Sequence, residues 1–383
     1  MKVLYDYQIF DTQIAGGISR YHADLYQGCE LNNVQPVLGL KYTNNIYLAQ
    51  QGLDFNESFS SEAKFLRGLK FKHKREIFRV LRKFGYSIRS SWELNAQFCR
   101  ECLKNKEYDI FHPTYYDDLY SDVEIKAPIV LTIHDMIYEG YTQFFDDISV
   151  ISRKKILAER ANAIIAISEY TKSEILKYYD NIDASKIHVI HHGIDLSDIE
   201  NYTVPETKGD FILYVGDRWC YKDFFTLLKA MKHLKLQKHD VRLITVGRQF
   251  NCDELLYIDF LGLNDSVLNL GRVSDDKLKE LYANAQMLVS TSMSEGFGLP
   301  LLECMKYGTP MVLSDIPVYR EVASDSAVYF KTSDECSLAD VILYLYNNGK
   351  MQKDLIAKGC ERVKLYDKDD MIRHTLDVYK KLL

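Results

Sequence analysis

The sequence predicts an α/β protein built from two Rossmann-like domains, each with a parallel sheet, and three observations predict this class. Short β-rich runs alternate with helical stretches from one end of the chain to the other, as they do in right-handed βαβ units. The chain has 383 residues, which is more than one typical hydrophobic core requires. A polar stretch without periodicity, residues 195–210, divides the runs into two series. We therefore expect an N-terminal domain at residues 1–200 and a C-terminal domain at residues 206–365.

Each domain is expected to contain six parallel strands, because most of the β-rich runs are apolar on successive residues, as in strands that are buried on both faces. The strands predicted for the N-terminal domain are residues 2–7, 36–41, 109–112, 129–134, 163–167 and 188–190. Those predicted for the C-terminal domain are residues 211–215, 242–246, 267–270, 287–290, 311–313 and 327–330. The rest is predicted to be helical, and we expect the segment 366–383 to pack back on the N-terminal domain. The two sheets then face each other across a cleft at the carboxyl ends of their strands, where ligands of such sheets bind.

The composition is that of an ordinary globular protein and excludes several classes. Hydrophobic residues make up 47% and charged residues 27% of the chain, which excludes a disordered or fibrous protein. The eight cysteines are scattered and no apolar segment follows a basic start, so we expect a cytoplasmic protein with reduced thiols. Cys99 and Cys102 form a Cys-x-x-Cys in a predicted helix, without further zinc ligands. The longest apolar runs are of strand length, far below the roughly 20 residues of a transmembrane helix.

Charge is distributed unevenly in this acidic chain. The whole chain has a net charge of −6, yet residues 64–104 contain twelve Lys or Arg and only three Glu. Within this basic segment, Ile77, Phe78, Leu81 and Phe84 recur at helical spacing. Two interpretations fit: a helix that lies on an anionic membrane surface, and a solvated helix whose apolar side packs on its own domain. We expect no nucleic-acid partner, because the chain as a whole is acidic and no recognised nucleic-acid motif accompanies the patch.

The segment 290–310 has the most specific pattern, because it runs from a strand end through a glycine-rich loop into a helix. Glu295 and Glu303 are eight positions apart and bracket this loop, so that both carboxylates can face one bound molecule. A carboxylate accepts two hydrogen bonds at once, which suits vicinal hydroxyls such as those of a ribose. Backbone amides at a helix start bind phosphate or sugar oxygens. The amides concerned are those of Gly296, Phe297, Gly298 and Leu299.

Together with its context, this segment resembles the signature of family-four retaining glycosyltransferases (glycosyl transferases group 1), in which seven residues separate two Glu. The context is Asn-Leu-Gly-Arg-Val-Ser at 269–274, Gly-Thr-Pro-Met-Val-Leu at 308–313 and Arg-Glu-Val-Ala at 320–323. The resemblance extends over nearly the whole chain, and it is densest over 211–330 and looser over 40–110. It implies the glycosyltransferase B fold, an N-terminal acceptor domain, a C-terminal donor domain and transfer with retained anomeric configuration. The chain is similar in this respect to bacterial O-antigen and capsule mannosyltransferases.

The resemblance implies roles for residues of the C-terminal domain. Arg218 and Lys222 follow the strand 211–215 and match the two cations that hold the donor diphosphate, where they would neutralise the leaving nucleotide without a metal. Glu303 would bind the ribose, and Glu295 with the amides that follow it would orient the sugar. We therefore expect no metal and no other cofactor, and we interpret the Asp-x-Asp at 367–369 as charge at a helix start.

The N-terminal domain is expected to close on the donor. Gly16 and Gly17 resemble the family's glycine-rich loop near the donor phosphates. His134 and Asp135 end a predicted strand and resemble the family's His-Asp pair, in which the His lies against the transferred sugar. Ser168 is interpreted as a helix cap.

The donor and acceptor are less closely defined by the sequence. GDP-mannose is the favoured donor, and UDP-glucose, UDP-galactose and UDP-N-acetylglucosamine stay open, because the base would be recognised by backbone groups around Gly271 and Val273. The acceptor would be a growing glycan or a lipid-linked sugar. An epimerase, a glycan phosphorylase and an inactive nucleotide-sugar binding module share the architecture, but we find no local motif for the first two. The turn before the linker has His192 ahead of Gly193, where relatives commonly have Asn.

Overall fold

Six short strands form the parallel sheet of the N-terminal half in the computed structural model, which describes residues 1–67, 72–86, 88–117, 123–199, 202–205, 208–239 and 241–383. The strands are β1 (Lys2–Tyr5), β2 (Gln35–Leu38), β3 (Ile110–His112), β4 (Val130–Ile133), β5 (Ala163–Ala166) and β6 (Ile187–Val189). They are hydrogen-bonded in the orders β2-β1-β3 and β4-β5-β6, and a bridge between Phe111 and Ile129 joins the two groups. All pairs are parallel, so the carboxyl ends of these strands lie at one edge.

The second sheet has six parallel strands and one topological switch point. Its strands are β7 (Phe211–Val215), β8 (Arg242–Val246), β9 (Val267–Asn269), β10 (Met287–Ser290), β11 (Met311–Ser314) and β12 (Val328–Phe330). They are ordered β12-β11-β10-β7-β8-β9, so the direction of winding reverses between β7 and β10. Loops that follow two such strands form a crevice, which is where ligands bind in open α/β sheets. The two loops concerned are residues 216–223 and 291–298.

Helices cover both sheets. Those of the N-terminal domain are α1 (Gln8–Thr12), α2 (Gly17–Leu31), α3 (Ile46–Gln50), α4 (Ser61–Leu66), α5 (Lys74–Lys83), α6 (Ser91–Asn105), α7 (Ile137–Gly140), α8 (Ser149–Arg160) and α9 (Glu169–Tyr178). Those that follow are α10 (Phe224–Leu236), α11 (Cys252–Phe260), α12 (Asp275–Asn284), α13 (Leu299–Tyr307), α14 (Pro317–Ala323), α15 (Glu335–Tyr346), α16 (Gly349–Arg362) and α17 (Lys368–Lys381). Short 3₁₀ turns occupy Thr142–Phe144, Ala184–Lys186, Cys220–Lys222 and Val363–Leu365.

The predicted fold class is confirmed, and all twelve predicted strands are present with ends that differ by up to three residues. The strand predicted at 2–7 ends at Tyr5, because Asp6 begins a turn in which its carboxylate accepts a hydrogen bond from the amide of Gln8 at 3.1 Å. Ser168 caps α9 by accepting from the amide of Thr171, as predicted. Asp367 caps α17 and accepts from the amide of Asp369, which agrees with its interpretation as helix-start charge.

The last helix returns to the N-terminal domain. The predicted domain limits at 200 and 206 lie outside the described residues, and the chain passes between the two sheets after β6 and before β7. It passes back near Gly193, where a β-carbon would crowd the backbone of Asp367 and Lys368 at 2.5–2.6 Å. The helix α17 then packs on α2, and the Tyr379 hydroxyl lies 3.0 Å from that of Tyr5. Residues 366–383 therefore complete the core of the N-terminal domain.

The basic segment at 64–104 contains α5, and its apolar residues are divided between two environments. Phe78 is buried and packs on Phe65 of α4 with ring centroids 4.9 Å apart. Ile77, Val80 and Phe84 are instead 41%, 52% and 85% exposed. The helix therefore packs on its own domain through one side and presents an apolar strip among cationic side chains on another. No helix of the described residues is long and apolar enough to cross a membrane.

Candidate active site

The site is built where the loops after β7 and β10 meet at the switch point of the second sheet. Lys222 lies in the first loop, and its ammonium donates to Oε1 of Glu295 in the second loop at 2.5 Å. The same carboxylate oxygen accepts from the hydroxyls of Ser292 at 2.6 Å and Tyr319 at 3.2 Å. Both charged side chains are largely buried, with 22% and 14% exposed. The fold thus brings together two of the predicted residues that lie 73 positions apart.

Gly296 follows Glu295 and contacts the N-terminal domain so closely that no side chain fits there. A β-carbon at this position would overlap the carbonyl oxygen of His134. The Gly296 carbonyl accepts from the hydroxyls of Ser168 at 2.8 Å and Thr171 at 3.3 Å, both at the start of α9. The domains are therefore closed on each other at this turn.

The helix start predicted to bind phosphate or sugar oxygens follows at once. Gly298 has a left-handed backbone with φ +109° and precedes α13, which begins at Leu299. Phe297 is buried and packs edge-on against His192 at 5.4 Å. Across the cleft, a β-carbon at Gly17 would lie 3.1 Å from the Leu299 side chain, and one at Gly16 would overlap the side-chain amide of Gln13. The two predicted glycine-bearing loops therefore face each other.

Glu303 lies on α13 and is held from both domains. Its Oε2 accepts from the Tyr282 hydroxyl at 2.7 Å, and its Oε1 lies 3.5 Å from the guanidinium of Arg20 on α2. Burial raises the pKa of Glu303, while the Tyr282 hydrogen bond and Arg20 oppose that rise. Arg20 was not among the predicted site residues. Its position one turn after Gly16-Gly17 could have indicated that it lies at the cleft.

Arg218 is held by partners within the C-terminal domain. Its Nε donates to Glu254 at 2.8 Å and its Nη2 to the carbonyl of Arg248 at 2.6 Å, and the side chain is fully buried. The guanidinium also lies over the ring of Phe250 at 4.7 Å. Arg218 is therefore paired with Glu254 inside the C-terminal domain, and its contact with a donor phosphate stays a prediction. Nη1 alone is buried without a partner among the described residues.

His134 directly follows β4 and has an unusual environment. Both its ring nitrogens are buried without a hydrogen-bond partner in the described part of the chain. Its ring stacks on that of His192 with centroids 5.5 Å apart and packs edge-on against Tyr21 at 5.2 Å. The adjoining Asp135 turns away into α7, where its carboxylate accepts from the amide of Ile137 at 3.0 Å.

Four buried imidazoles surround this point, and we call them the histidine cluster: His22, His112, His134 and His192. Burial lowers the pKa of every member, to about 3 for His112 and for His192. The cluster is therefore uncharged at neutral pH. His192, which precedes Gly193 in the turn before the linker, thus packs directly against the predicted catalytic His134.

The residues predicted to recognise the base lie after β9. Gly271 has a left-handed backbone with φ +68°, its amide donates to Asn269 at 2.6 Å, and its carbonyl accepts from Gly247 at 3.1 Å. Both of its backbone groups are therefore engaged within the domain. Val273 is half-buried and packs against the core beside β10.

Potential metal ligands do not come together as a binding site in the described ranges. Cys99 and Cys102 lie in α6 and form no disulfide with any described residue, and Cys99 is buried. No group of three or more His, Cys, Asp or Glu side chains is arranged to hold a metal among the residues that the structure describes.

Two family models match this chain. The model described as Glycosyl transferases group 1 matches residues 198–362, and the model described as Glycosyltransferase Family 4 matches residues 54–198. The two matches meet within the linker and together include Lys222, Glu295, Glu303 and His134. The chain therefore belongs to the family-four glycosyltransferases (glycosyl transferases group 1).

Two of the relatives are named as O-antigen chain mannosyltransferases. The O-antigen chain mannosyltransferase RfbU of Salmonella typhimurium is 33% identical over 245 residues, which is 63% of this chain and 66% of that protein. The O-antigen chain mannosyltransferase B of Escherichia coli is 26% identical over 348 residues, which is 84% of this chain and 91% of that protein.

Solved structures show the same fold. S. aureus TarM, solved with UDP and alpha-GlcNAc-glycerol, has a TM-score of 0.74 at 13% identity and covers 99% of both chains. Anabaena HepE, solved with UDP and glucose, has a TM-score of 0.70 at 17% identity and covers 98% of both chains. The fold is thus the glycosyltransferase B fold, with two Rossmann-like domains across a cleft.

Proposed function

We propose that this glycosyltransferase moves a hexose from a nucleotide diphosphate sugar to a growing glycan or lipid-linked acceptor in surface polysaccharide synthesis, with retention of the anomeric configuration. The observation that carries the proposal is the meeting of Lys222 and Glu295 at the switch point, beside Gly296 and His134. A cation and a carboxylate at the carboxyl ends of parallel strands suit a phosphate and a sugar hydroxyl.

The donor would be held mainly by the C-terminal domain. Glu303 accepts hydrogen bonds from the ribose hydroxyls, and Arg20 on the opposite domain lies 3.5 Å from it, so nucleotide binding is coupled to domain closure. When the diphosphate arrives, the Lys222 ammonium exchanges Glu295 for a phosphate oxygen. This exchange frees the Glu295 carboxylate to bind hydroxyls of the sugar.

The reaction then needs no protein base. The acceptor oxygen forms a bond to the anomeric carbon as the bond from that carbon to the phosphate oxygen breaks, and the hydroxyl proton passes to the leaving phosphate. Lys222 stabilises the negative charge that grows on this phosphate. The uncharged ring of His134 lies against the sugar and does not oppose the positive charge that develops at the anomeric carbon.

We propose that Lys222 supplies the charge that a divalent metal supplies in other transferases. Turnover in the presence of EDTA should equal turnover with added Mg²⁺. A more than tenfold loss in EDTA that Mg²⁺ restores would contradict this part of the proposal.

GDP-mannose is the donor that we favour, because RfbU and the E. coli relative are named as mannosyltransferases. UDP-linked glucose, galactose or N-acetylglucosamine is the second candidate, which HepE, solved with UDP and glucose, supports. A thermal-shift series with these four donors decides between them, because a ligand at 100 times its Kd stabilises the native state by about 2.7 kcal/mol.

Incubation of the bound donor with and without mannosides separates an enzyme from an inactive binding module. Release of GDP at a measurable rate supports the enzyme. Binding without hydrolysis or transfer would identify the module instead.

We further propose peripheral contact with an anionic membrane face inside the cell through the basic segment, which would suit a lipid-linked acceptor. The exposed Ile77, Val80 and Phe84 on and beside α5 supply an apolar strip, and the surrounding Lys and Arg supply positive charge. Sedimentation with phosphatidylglycerol vesicles should fall sharply for Phe84→Asp and remain unchanged for Leu383→Asp, a residue that is also exposed. Equal sedimentation with neutral vesicles would exclude this surface.

A further inference from the structure

A buried ion pair lies behind the turn that carries His134. The side-chain charges of Lys154 on α8 and Glu139 on α7 are 3.0 Å apart, and the two side chains are only 1% and 2% exposed. Neither residue was predicted to belong to the site. Taking two charges out of water is costly, so a buried ion pair often stabilises a fold no more than apolar side chains of similar volume do. Stability alone therefore does not explain this pair.

The Lys154 ammonium also contacts the turn itself. It donates to the carbonyl of Asp135 at 2.9 Å and lies 5.1 Å from the centre of the Tyr116 ring. The Tyr116 hydroxyl accepts a hydrogen bond from the amide of His134 at 2.9 Å. The backbone of His134 and Asp135 is therefore held at both ends, by two side chains that contact each other.

Glu139 fixes the ammonium in place. Its Oε2 accepts from Lys154 at 3.0 Å, and its Oε1 accepts from the hydroxyl of Tyr179 at 2.5 Å. Burial raises the pKa of Tyr179, so this hydroxyl keeps the proton that it donates. Each carboxylate oxygen thus has its own donor, and a change at Glu139 would release the ammonium that holds the turn.

The turn held in this way contributes two groups to the cleft. One is the ring of His134, which the proposed reaction places against the sugar. The other is the carbonyl of His134, which a β-carbon at Gly296 of the opposite domain would overlap. A misplacement of about 1 Å by a residue remote from the chemistry can cost about 100-fold in rate. The exact position of this backbone therefore matters for turnover.

We propose that Lys154 and Glu139 are positioning residues, which fix the turn of His134 and Asp135 against Gly296 in the closed enzyme. The inference rests on the proposed glycosyl transfer and extends it to two residues outside the cleft. Because both side chains are buried, they act through the backbone of the turn and not on a substrate.

A double substitution separates positioning from stability. Lys154→Met combined with Glu139→Leu removes both charges, keeps most of the side-chain volume and leaves the Tyr179 hydroxyl the carbonyl of Ile151, at 3.4 Å. Either single substitution would leave the other charge buried and unpaired, which strongly destabilises a fold. The double variant avoids this and should melt at or above the wild-type temperature.

The matched control is Lys380→Met combined with Asp377→Leu. It removes an ion pair of α17 whose charges are 3.2 Å apart and whose side chains are 62% and 49% exposed. Four quantities are measured on both double variants: the melting temperature, the affinity for GDP, kcat for GDP release from GDP-mannose, and amide hydrogen exchange at residues 134–137.

We expect the buried double variant to lose at least tenfold in kcat and to exchange at least tenfold faster at residues 134–137. Its GDP affinity should stay within about threefold of wild type, because the C-terminal domain holds most of the nucleotide. The control should keep wild-type values throughout. Positioning thus appears as a loss in kcat without a loss in folding or in nucleotide binding.

Wild-type kcat together with wild-type exchange in the buried double variant would overturn the proposal. A joint fall of melting temperature, GDP affinity and kcat would overturn it too, because a general structural role gives that result. Failure of the proposed function is distinguishable, since the wild-type protein would then turn over no nucleotide sugar. Amide exchange at residues 134–137 would still test whether the ion pair holds the turn.

Discussion

Replacing Lys222 by methionine removes one positive charge from the site and keeps most of the side-chain volume. In the structure this ammonium lies 2.5 Å from Glu295, and 22% of the lysine side chain is exposed. Two unit charges about 4 Å apart interact by about 4 kcal/mol at an effective dielectric constant near 20. A lost transition-state contact of this kind costs about 10²–10³ in kcat. We therefore expect kcat for Lys222→Met to fall by about two to three orders of magnitude.

The assay is GDP release from GDP-mannose under saturating donor, with the melting temperature measured in parallel. Lys331→Met is the matched control, because Lys331 is in the same domain and its side chain is 80% exposed. The control should keep the wild-type rate. A Lys222→Met rate within about threefold of wild type would show that the positive charge at this position does not stabilise the leaving phosphate.

Three further predictions follow from the same geometry. Glu303→Ala should weaken GDP binding in calorimetry by at least about tenfold, or about 1.4 kcal/mol, and unchanged affinity would remove Glu303 from the nucleotide site. Gly296→Ala should lower turnover by about 100-fold, because its β-carbon overlaps the His134 carbonyl and prevents closure, and a wild-type rate would show that the turn can shift. The histidine cluster should make the fold acid-sensitive: its lowered pKa values mean that the unfolded chain binds more protons, so stability is complete above the ordinary pKa of 6.5 and is lost as pH falls toward about 3. The loss at pH 5.5 is on the order of 1.4 kcal/mol for each buried histidine, and His192→Phe should reduce it in urea titrations; an unfolding midpoint independent of pH between 7 and 5 would contradict this.

Much of the fold could be predicted, because continuous apolar runs mark strands that are buried on both faces. All twelve strands were located in this way. Their ends were less predictable, since they depend on side-chain contacts such as that of Asp6 with the amide of Gln8. The family resemblance named Lys222, Glu295 and Glu303. The structure brings Lys222 and Glu295 into contact, and the binding roles of all three stay predictions.

Pairings between distant residues could not be predicted. Arg218 was expected to contact a phosphate, and its pairing with Glu254, 36 positions away, was not predicted. Arg20 was not predicted as a site residue, because its partner Glu303 lies on the other domain. The stacking of His192 on His134 joins the ends of β6 and β4 within the N-terminal domain, and no local pattern signals it.

The return of α17 to the N-terminal domain constrains how the protein is made and how it moves. Because Met371, Ile372 and Tyr379 belong to the core around β1, that core can close only after the ribosome has synthesised α17. Two covalent crossings, near residues 190–210 and 363–367, also join the domains side by side. Rotation of one domain against the other must therefore pivot close to both crossings. Opening is then a hinge motion about a defined axis, unlike the free reorientation of domains joined by one flexible linker.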